Sequence, residues 1–346
     1  MLYLLQDLFI NSWGVLRIFK SIMLRASVAF MIAFLFMLIF GKPFIAWLKK
    51  KKYGDTAREE GPKSHFDKSG TPTMGGILII GAILFATAIA GNFTNKFIVF
   101  LFIITILFTT IGFYDDYLKL TRHKNGLSGK KKILGQMIIT ALTFWFVYKY
   151  GLVNKTIDFS IVNPIIKNSY FYITPILFFV FIAFVIIGSS NAVNLTDGLD
   201  GLATSVTIIT TSTFALLAYK ENNFPIFVFC LVLVGALIGF LLFNKNPAKI
   251  FMGDTGSLAL GGILAAISII LHKEIAFIFI GLVYILETLS VIIQVAYFKK
   301  TGKRILKMSP LHHHFELSGY GEVKTVYLFV IIALISSGVG YFLGVI

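Results

Sequence analysis

Long hydrophobic runs alternate with short polar segments along almost the whole chain. Ten runs can be traced, and each is close to the ~20 residues that a helix needs to cross a lipid bilayer. They lie near 22–48, 74–91, 96–114, 132–150, 173–190, 199–219, 224–243, 255–271, 275–298 and 325–345. Helices satisfy their own backbone hydrogen bonds in lipid, so runs of this length favour helices. The pattern predicts an all-α, polytopic membrane protein with about ten transmembrane helices.

The first residues and the loops do not indicate a second domain beside the predicted transmembrane helices. Residues 1–20 mix apolar side chains such as Trp13 with polar ones, which is typical of a short interfacial helix, with a weak first span as the alternative. The run at 22–48 has no small-residue cleavage site after it, so we interpret it as a retained span and not as a signal peptide. We therefore expect a single transmembrane domain, 1–346, with no soluble domain and no internal repeat.

Composition narrows the class of protein further. Hydrophobic residues make up 57% of the chain and charged residues 14%, and the mean hydropathy is +0.85. These values exclude an ordinary cytosolic enzyme, a disordered chain and a secreted disulfide scaffold. Cys230 is the one cysteine of the sequence and lies inside an apolar run, so no internal disulfide can form.

The positive charge is concentrated in particular loops. The chain has 31 Lys and Arg against 16 Asp and Glu, and more than half of the basic residues lie in 49–73, 115–131 and 299–324. By the positive-inside rule, these loops and those at 191–198 and 244–254 face the cytoplasm, and both termini lie on the extracytoplasmic side. The net charge of +15 therefore indicates orientation in a membrane, and we expect no nucleic acid partner.

Acidic residues and histidines gather on the predicted cytoplasmic side. The acids at the mouths of the runs are Asp115, Asp116, Asp197, Asp200 and Asp254, and the histidines of the same loops are His65, His123, His312, His313 and His314. Carboxylates beside hydrocarbon are costly and usually mark function, although an acid at a helix end can also cap the helix or pair with a loop lysine. Five such acids on one side predict an active site at the cytoplasmic face.

A glycine-rich turn and an acidic pair are the first candidate segments. Residues 70–76 read GTPTMGG, and a helix beginning there would offer backbone N–H groups to an anion, with Lys68 just before it. Tight helix packing is the alternative. Asp115 and Asp116 end the third run, and adjacent side chains on a helix point about 100° apart. One of them could bind Mg²⁺ while the other contacts a reacting proton, which is typical of metal-assisted phosphate chemistry.

The loop between the fifth and sixth runs is polar and rich in glycine. Its sequence, NAVNLTDGLDG at 191–201, places Asn191 three residues before Asn194 and Asp197 three residues before Asp200. Each pair could share one face of a helix, and the glycines would let the backbone bend or receive a ligand. Such a stretch between two apolar spans favours a ligand site over packing.

Two later segments complete the set. Residues 251–257 read FMGDTGS, which places Asp254 beside glycines at a helix start and predicts an oxyanion and Mg²⁺ site. Phe251 could stack on a base or pack in the bundle. Residues 310–316 read PLHHHFE, and three consecutive histidines splay apart on a helix, so contacts to phosphate or a carboxylate are favoured over one shared metal. Glu287, midway along the ninth run, is either a functional acid or the partner of a neighbouring helix.

Five segments together resemble one family of membrane transferases. They are TPTMGG at 71–76, DD at 115–116, NAVNLTDGLDGLA at 191–203, FMGDTGS at 251–257 and PLHHHFE at 310–316. Their sequences and their order resemble the phospho-N-acetylmuramoyl-pentapeptide-transferase family, the bacterial branch of the polyprenyl-phosphate N-acetylhexosamine-1-phosphate transferases. The likeness extends over nearly the whole chain, and the third and fifth segments are closer to this branch than to the N-acetylglucosamine branch.

The resemblance implies a reaction, a cofactor and a set of site residues. UDP-N-acetylmuramoyl-pentapeptide and undecaprenyl phosphate would give lipid I and UMP with Mg²⁺, in the bacterial cytoplasmic (inner) membrane, and a homodimer is expected. Catalytic roles would belong to Asp115, Asp116, Asp254 and His312, and the three aspartates would be the metal ligands. The residues expected to bind substrate are Lys68, Thr73, Lys119, Lys131, Asn191, Asn194, Asp197, Gly198, Leu199, Asp200, Asn244, Phe251, His313 and His314.

Within that reaction we expect direct in-line attack of the lipid phosphate on the β-phosphorus of the donor, with Asp115 as the base and Phe251 stacked on uracil. A phospho-aspartyl intermediate is the competing route. UDP-N-acetylglucosamine as the donor is the alternative within the enzyme class. A transporter is the alternative outside it, but a transporter would place its acids near the middle of the membrane, often between inverted repeats.

Overall fold

The computed structural model describes residues 21–51, 68, 70–121, 126–151, 159–163, 166 and 169–345. The interfacial helix predicted at 1–20 lies outside these residues, as do His65 and His123. The described part of the chain is mostly helical, and nine of its helices are long and apolar enough to cross a membrane. The chain is therefore a polytopic membrane protein.

The helices and strands follow one another along the chain as follows. The helices are α1 (Ile22–Lys50), α2 (Gly76–Ala90), α3 (Lys96–Thr121), α4 (Gly129–Tyr150), α5 (Pro175–Thr196), α6 (Leu202–Lys220), α7 (Phe224–Asn244), α8 (Gly253–Ile270), α9 (Glu274–Ile280), α10 (Leu282–Thr301), α11 (Leu311–Phe315) and α12 (Glu322–Val345), with a π-helical turn at Glu316–Tyr320 before α12. Two strands, β1 (Ser160–Val162) and β2 (Tyr170–Tyr172), lie between α4 and α5. At 15 residues, α2 is shorter than the nine long helices.

Each of the ten predicted runs contains a helix, but the ninth run is broken in two. Gly281 ends α9 by donating its N–H to the Phe277 carbonyl at 2.7 Å, and α10 begins at the next residue. A methyl group at Gly340 of α12 would stand 2.8 Å from the backbone N of Ile280, so α12 lies directly against the break. The break separates α9 from α10, which carries Glu287.

The expectation of an all-α protein is wrong in one place. β1 pairs with β2 in an antiparallel hairpin, with Ser160 opposite Tyr172. The two strands read SIV and YFY, and β-branched and aromatic side chains of this kind suit a pleated surface. Each strand has only three residues, so hydrophobic periodicity over a longer window could not reveal it.

Helix α8 is the centre of the bundle. Nearly all of its residues are buried, and α3 and α5 pack along it. Glycines permit these contacts, since a methyl group at Gly261 would stand 2.4 Å from the carbonyl oxygen of Ser189 in α5. A methyl group at Gly262 would stand 2.4 Å from the ring of Phe108 in α3. This packing places the beginning of α8 beside the ends of α3 and α5.

Candidate active site

The candidate site lies where three helix ends meet. Asp115 and Asp116 lie near the end of α3, Asn194 lies near the end of α5, and Asp254 lies in the first turn of α8. Helix α3 comes this close because residue 112 is a glycine, where a methyl group would stand 2.1 Å from the Asp254 carbonyl oxygen. Packing therefore brings together acids that are far apart in the sequence.

Asp116 caps the beginning of α8. Its Oδ1 accepts the Asp254 N–H at 3.1 Å, and its Oδ2 accepts the N–H and the hydroxyl of Thr255 at 2.8 and 2.6 Å. These donors belong to the positive end of the α8 dipole, which favours a carboxylate. An acid at a helix end can cap a helix, and Asp116 does so. The helix that it caps is α8, whereas Asp116 itself belongs to α3.

Two lysines lie between the carboxylates of Asp115 and Asp254. Lys119 Nζ is 2.6 Å from Asp115 Oδ2 and 3.0 Å from Asp254 Oδ2. Lys132 Nζ is 3.1 and 2.7 Å from the same two oxygens. The backbone N–H of Leu127 donates to Asp115 Oδ1 at 2.6 Å. Charge-assisted bonds of this kind are strong in a buried site, so the cluster holds both carboxylates in fixed positions.

The sequence predicted Lys131 as a substrate-binding residue, and the structure places Lys132 in the site instead. The side chain of Lys131 is exposed, whereas that of Lys132 is mostly buried against the two aspartates. Both belong to the basic run at the beginning of α4, where neighbouring side chains point about 100° apart. Sequence alone could not decide which of them faces the acids.

The three aspartates have the geometry of a metal site. Ligand oxygens of Asp115, Asp116 and Asp254 all lie within 4.8 Å of one another, and all three residues are buried. Carboxylate oxygens are the ligands that Mg²⁺ prefers. The residues present therefore fit a divalent cation, which would share Asp115 and Asp254 with Lys119 and Lys132.

Two N–H groups of the glycine-rich turn before α2 are used in packing and are not offered to an anion. The N–H groups of Gly75 and Gly76 donate to the carbonyl oxygens of Phe251 and Met252, both at 2.8 Å. A methyl group at Gly76 would stand 2.1 Å from the backbone N of Gly256 in α8. The anion-site prediction for these N–H groups is therefore wrong, because the close approach of α2 to α8 uses them.

Asn191 and Asn194 point to different neighbours. Asn194 Nδ2 donates to Asp254 Oδ1 at 2.9 Å and to Ser257 Oγ at 2.8 Å, which places it in the acidic cluster. Asn191 Nδ2 instead donates to Gln136 Oε1 of α4 at 3.0 Å and to the Ile187 carbonyl at 2.8 Å. Asn191 thus ties α5 to α4 beside the site.

Asp197 and Asp200 lie in a turn between α5 and α6, and they do not share a helix face. Helix α5 ends at Thr196, and Gly201 has the left-handed backbone (φ 77°) that glycine favours before α6 begins. Burial raises the pKa of Asp197 to about 7, and nearby negative charge, chiefly on Asp254, acts in the same direction. Asp197 therefore belongs electrostatically to the acidic cluster, whereas Asp200 points to other partners.

Asp200 is the centre of a second polar network. Lys68 Nζ is 2.7 Å from Asp200 Oδ1, and Lys68 also pairs with Glu322 at the beginning of α12. Asp200 Oδ2 accepts from Asn246 Nδ2 at 3.1 Å and from the Ala248 N–H at 2.9 Å. Asn246 Nδ2 is also 2.9 Å from Glu322 Oε2. Glu322 and Asn246 were not predicted, since an acid at a helix start and an asparagine in a basic loop carry no distinctive signal.

The other residues predicted to contact the nucleotide donor, Asn244, Phe251 and Leu199, lie around the acidic cluster and the Asp200 network. The side chain of Asn244 is buried and accepts from Thr204 Oγ1 at 2.7 Å, while its Nδ2 donates to the Ile250 carbonyl at 3.0 Å. Phe251 is partly buried, and its backbone N–H donates to the Pro72 carbonyl at 2.8 Å. The side chain of Leu199 is buried in the core, which leaves only its backbone for a ligand.

Thr73 lies beside the beginning of α8. A methyl group added at Gly253 would stand 3.1 Å from Thr73 Oγ1 and 2.7 Å from Asp116 Oδ2. Gly253 also has a left-handed backbone (φ 72°), so a side chain at this position would be strained as well as crowded. The threonine hydroxyl and the Asp116 carboxylate thus lie on the same side of the first turn of α8.

The three consecutive histidines have three different environments, as the splayed arrangement predicted. His312 is fully buried, and its Nδ1 is 3.0 Å from Glu287 Oε2. His313 Nδ1 is 3.0 Å from Glu316 Oε2, and His314 Nδ1 accepts the N–H of Lys307 at 3.2 Å. Glu287 is thus the partner of a neighbouring segment, which is one of the two roles left open for it.

Two models of known protein families match the segments that form this site. The family model described as Glycosyl transferase family 4 matches residues 97–272, which contain Asp115, Asp116, Asp197 and Asp254. The model described as Phospho-N-acetylmuramoyl-pentapeptide-transferase signature 1 matches residues 68–80, from Lys68 into α2. Both matches cover positions where the structure brings the candidate residues together.

Curated relatives named "Phospho-N-acetylmuramoyl-pentapeptide-transferase" are similar over most of their length. The protein of Staphylococcus carnosus (strain TM300) is 49% identical over 320 residues, which cover 91% of this chain and 98% of the relative. That of Fusobacterium nucleatum is 47% identical over 336 residues, covering 92% and 93%. That of Listeria monocytogenes is 45% identical over 313 residues, covering 89% and 94%. The chain belongs to the phospho-N-acetylmuramoyl-pentapeptide-transferase family, within glycosyl transferase family 4.

Proposed function

We propose that this chain transfers phospho-N-acetylmuramoyl-pentapeptide from its UDP carrier to undecaprenyl phosphate and so makes lipid I and UMP. Family membership over about nine-tenths of the chain supports this reaction. The observation that carries it is the buried cluster of Asp115, Asp116 and Asp254 with Lys119 and Lys132. The cluster combines metal-binding carboxylates with cations that suit a pyrophosphate, which is the requirement of phosphoryl transfer.

The metal proposed for this site is Mg²⁺, held by Asp254 together with Asp115 and Asp116. When bound, Mg²⁺ would supply positive charge to the pyrophosphate of the donor. Lys119 and Lys132 would bind the non-bridging oxygens of the same pyrophosphate. Asp116 keeps the first turn of α8 in place through its bonds to the backbone of Asp254 and Thr255.

Direct attack by the lipid phosphate is the route that we propose, with a phospho-aspartyl intermediate as the alternative. An oxygen of the lipid phosphate would form a bond to the β-phosphorus, the bond from that phosphorus to the bridging oxygen would break, and UMP would leave. Asp115 would accept the proton that the lipid phosphate still carries, a small demand because a phosphate monoester has a second pKa of about 6. Lys119, Lys132 and the Leu127 N–H hold the Asp115 carboxylate in place for that role.

The nucleotide side of the donor would bind the turn at 197–200 and the segments packed around it. Asn194 and Asp197 lie toward the acidic cluster, and Asp200 and Lys68 form the second polar network, so the two groups suit the two ends of a nucleotide pyrophosphate. Phe251 lies three residues before Asp254 and would stack on uracil. His312 would lie near the reacting phosphates.

The orientation in the membrane is part of the same proposal. With ten spans, α9 and α10 forming one broken span, both termini would be extracytoplasmic and the active site would face the cytoplasm of a bacterial inner membrane. The ends of α3 and α5 meet the beginning of α8, so residues of the proposed site fall on one side of the bundle. That side also carries Lys68, Lys119 and Lys132, in keeping with the positive-inside rule for a cytoplasmic face. We further propose one transmembrane domain and a homodimer.

The proposal is tested by UMP release from the purified protein in detergent with Mg²⁺. We expect release only when undecaprenyl phosphate and UDP-N-acetylmuramoyl-pentapeptide are both present. Release with UDP-N-acetylglucosamine in its place would assign the chain to the sister reaction. Catalytic release without lipid would favour a covalent or hydrolytic route, and no release from well-folded protein would contradict transferase activity.

A further inference from the structure

Glu287 and His312 form a buried pair beside the proposed donor site. Glu287 lies in α10 and His312 in the short helix α11, and both side chains are essentially inaccessible to solvent. Glu287 Oε2 is 3.0 Å from His312 Nδ1 and 3.4 Å from the His312 backbone N–H. Burying a carboxylate is unfavourable unless it is paired, so this contact restricts the histidine to one position.

The pair also fixes which nitrogen of the imidazole faces the donor turn. A carboxylate accepts hydrogen bonds, so Nδ1 carries the proton and Nε2 points to the opposite side. Among the described residues, His312 Nε2 has no hydrogen-bond partner. It faces Gly198, where an added methyl group would stand only 2.2 Å from Nε2 and 2.7 Å from Cε1.

Gly198 belongs to the turn that carries the two acidic residues of the donor site. Asp197 precedes it and lies within electrostatic reach of Asp254, and Asp200 follows it and holds Lys68. The imidazole packs directly against the backbone of this turn, so a change in the ring position would move the turn. The His312 side chain thus contacts the Glu287 carboxylate on one side and the turn on the other.

We propose that Glu287 is a positioning residue that acts through His312 on the turn at 197–200 and so sets the affinity for the nucleotide donor. This inference rests on the proposed function, because it assigns the turn to the donor. The second oxygen of the carboxylate, Oε1, is buried without a hydrogen-bond partner in the described part of the chain. A buried, unsatisfied oxygen lowers stability, so packing alone does not explain a glutamate at this position.

The test measures the KM for each substrate in Glu287→Ala and Glu287→Gln. We expect Glu287→Ala to raise the KM for UDP-N-acetylmuramoyl-pentapeptide about 10-fold or more, by analogy with the loss of a carboxylate that orients a histidine. The KM for undecaprenyl phosphate should stay within about twofold, since the proposed route from Glu287 runs to the turn that is assigned to the nucleotide donor. Glu287→Gln should recover much of the loss, because its amide oxygen can still accept the Nδ1 proton.

Glu274→Gln is the matched control. Glu274 is also a buried glutamate, but it is the first residue of α9, on the other side of the Gly281 break. Each variant is first checked for a single elution peak and for its thermal unfolding midpoint. A donor KM in Glu274→Gln equal to that of Glu287→Ala would overturn the inference, as would equal changes in both KM values of Glu287→Ala.

A double variant separates an effect through His312 from independent packing. In the His312→Ala background, adding Glu287→Ala should change the donor KM by less than about twofold, because the route through the imidazole is already lost. A full additional 10-fold effect would overturn the inference. The ¹⁵N spectrum of histidine-labelled protein, with His312→Ala to identify the signal, should show an Nδ1-protonated ring that changes in Glu287→Ala and not in Glu274→Gln.

The spectrum also distinguishes failure of this inference from failure of the proposed function. A wild-type protein that releases no UMP would refute the function, and the ring signal would still report on the pair. An Nε2-protonated ring in the wild type would overturn the inference whatever the activity.

Discussion

Replacing Lys132 by glutamine removes one of the two cations that lie between Asp115 and Asp254. Lys132 Nζ is 2.7 Å from Asp254 and 3.1 Å from Asp115, and its side chain is mostly buried. A hydrogen bond to a charged group contributes about 1.5–3 kcal/mol, so a loss of about 2 kcal/mol in the transition state would lower kcat/KM roughly 30-fold. The same change leaves the two carboxylates with less neutralising charge. Mg²⁺ should therefore bind more tightly and reach half-saturation at a lower concentration.

The assay is UMP release over a range of Mg²⁺ concentrations, with Lys131→Gln as the control. Lys131 precedes Lys132 in α4 and has an exposed side chain, so its replacement removes the same charge from the same helix turn without touching the aspartates. Lys131→Gln should stay within about twofold of the wild type, because an exposed charge contributes little. Equal losses in the two variants, or an unchanged Mg²⁺ dependence in Lys132→Gln, would refute the reasoning.

Three further substitutions test other residues of the site. Asp254→Ala should abolish turnover and weaken Mg²⁺ binding, and near-normal activity in a Mg²⁺ titration would remove it as a metal ligand. Phe251→Ala should raise the KM for the UDP donor more than that for the lipid phosphate, whereas equal effects would indicate packing. With the pKa of Asp197 raised from 3.8 to about 7, the folded chain keeps a proton that the unfolded chain loses, so stability falls as the pH rises between those values. Asp197→Asn should remove that part of the fall in the thermal unfolding midpoint, measured in EDTA, and an unchanged slope would contradict the assignment.

The long helices could be predicted from the sequence because length and hydrophobicity are enough to define a span in lipid. The exceptions are features that depend on contacts between segments. The break at Gly281 accompanies the close approach of Gly340 in α12, and the hairpin between α4 and α5 uses strands of three residues each. Neither feature leaves a mark in the hydrophobic pattern, because the break faces a helix far away in the chain and the strands are too short to show a period.

In the site, too, some residues could be predicted from the sequence, and others depend on contacts between distant segments. The aspartates could be identified because carboxylates at the ends of apolar runs are rare and need a reason. Which lysine meets them depends on the rotation of α4, so the sequence favoured Lys131 where the structure has Lys132. The roles of Glu287 and Glu322 depend on partners at His312 and Lys68, and no spacing rule connects residues so distant.

Packing and charge together explain how the acidic cluster can exist inside the protein. Glycine contacts draw α3 and α5 onto α8, so Asp115 and Asp254 are held close although both are buried and carry like charge. Buried like charges repel unless a cation lies between them, and Lys119 and Lys132 each contact both carboxylates. A divalent cation on the same aspartates would meet the same requirement with more charge, and the lysines would then turn to the anionic oxygens of the substrate. The proposed reaction therefore needs an exchange of partners among these side chains, which is why changing a lysine should alter the Mg²⁺ dependence.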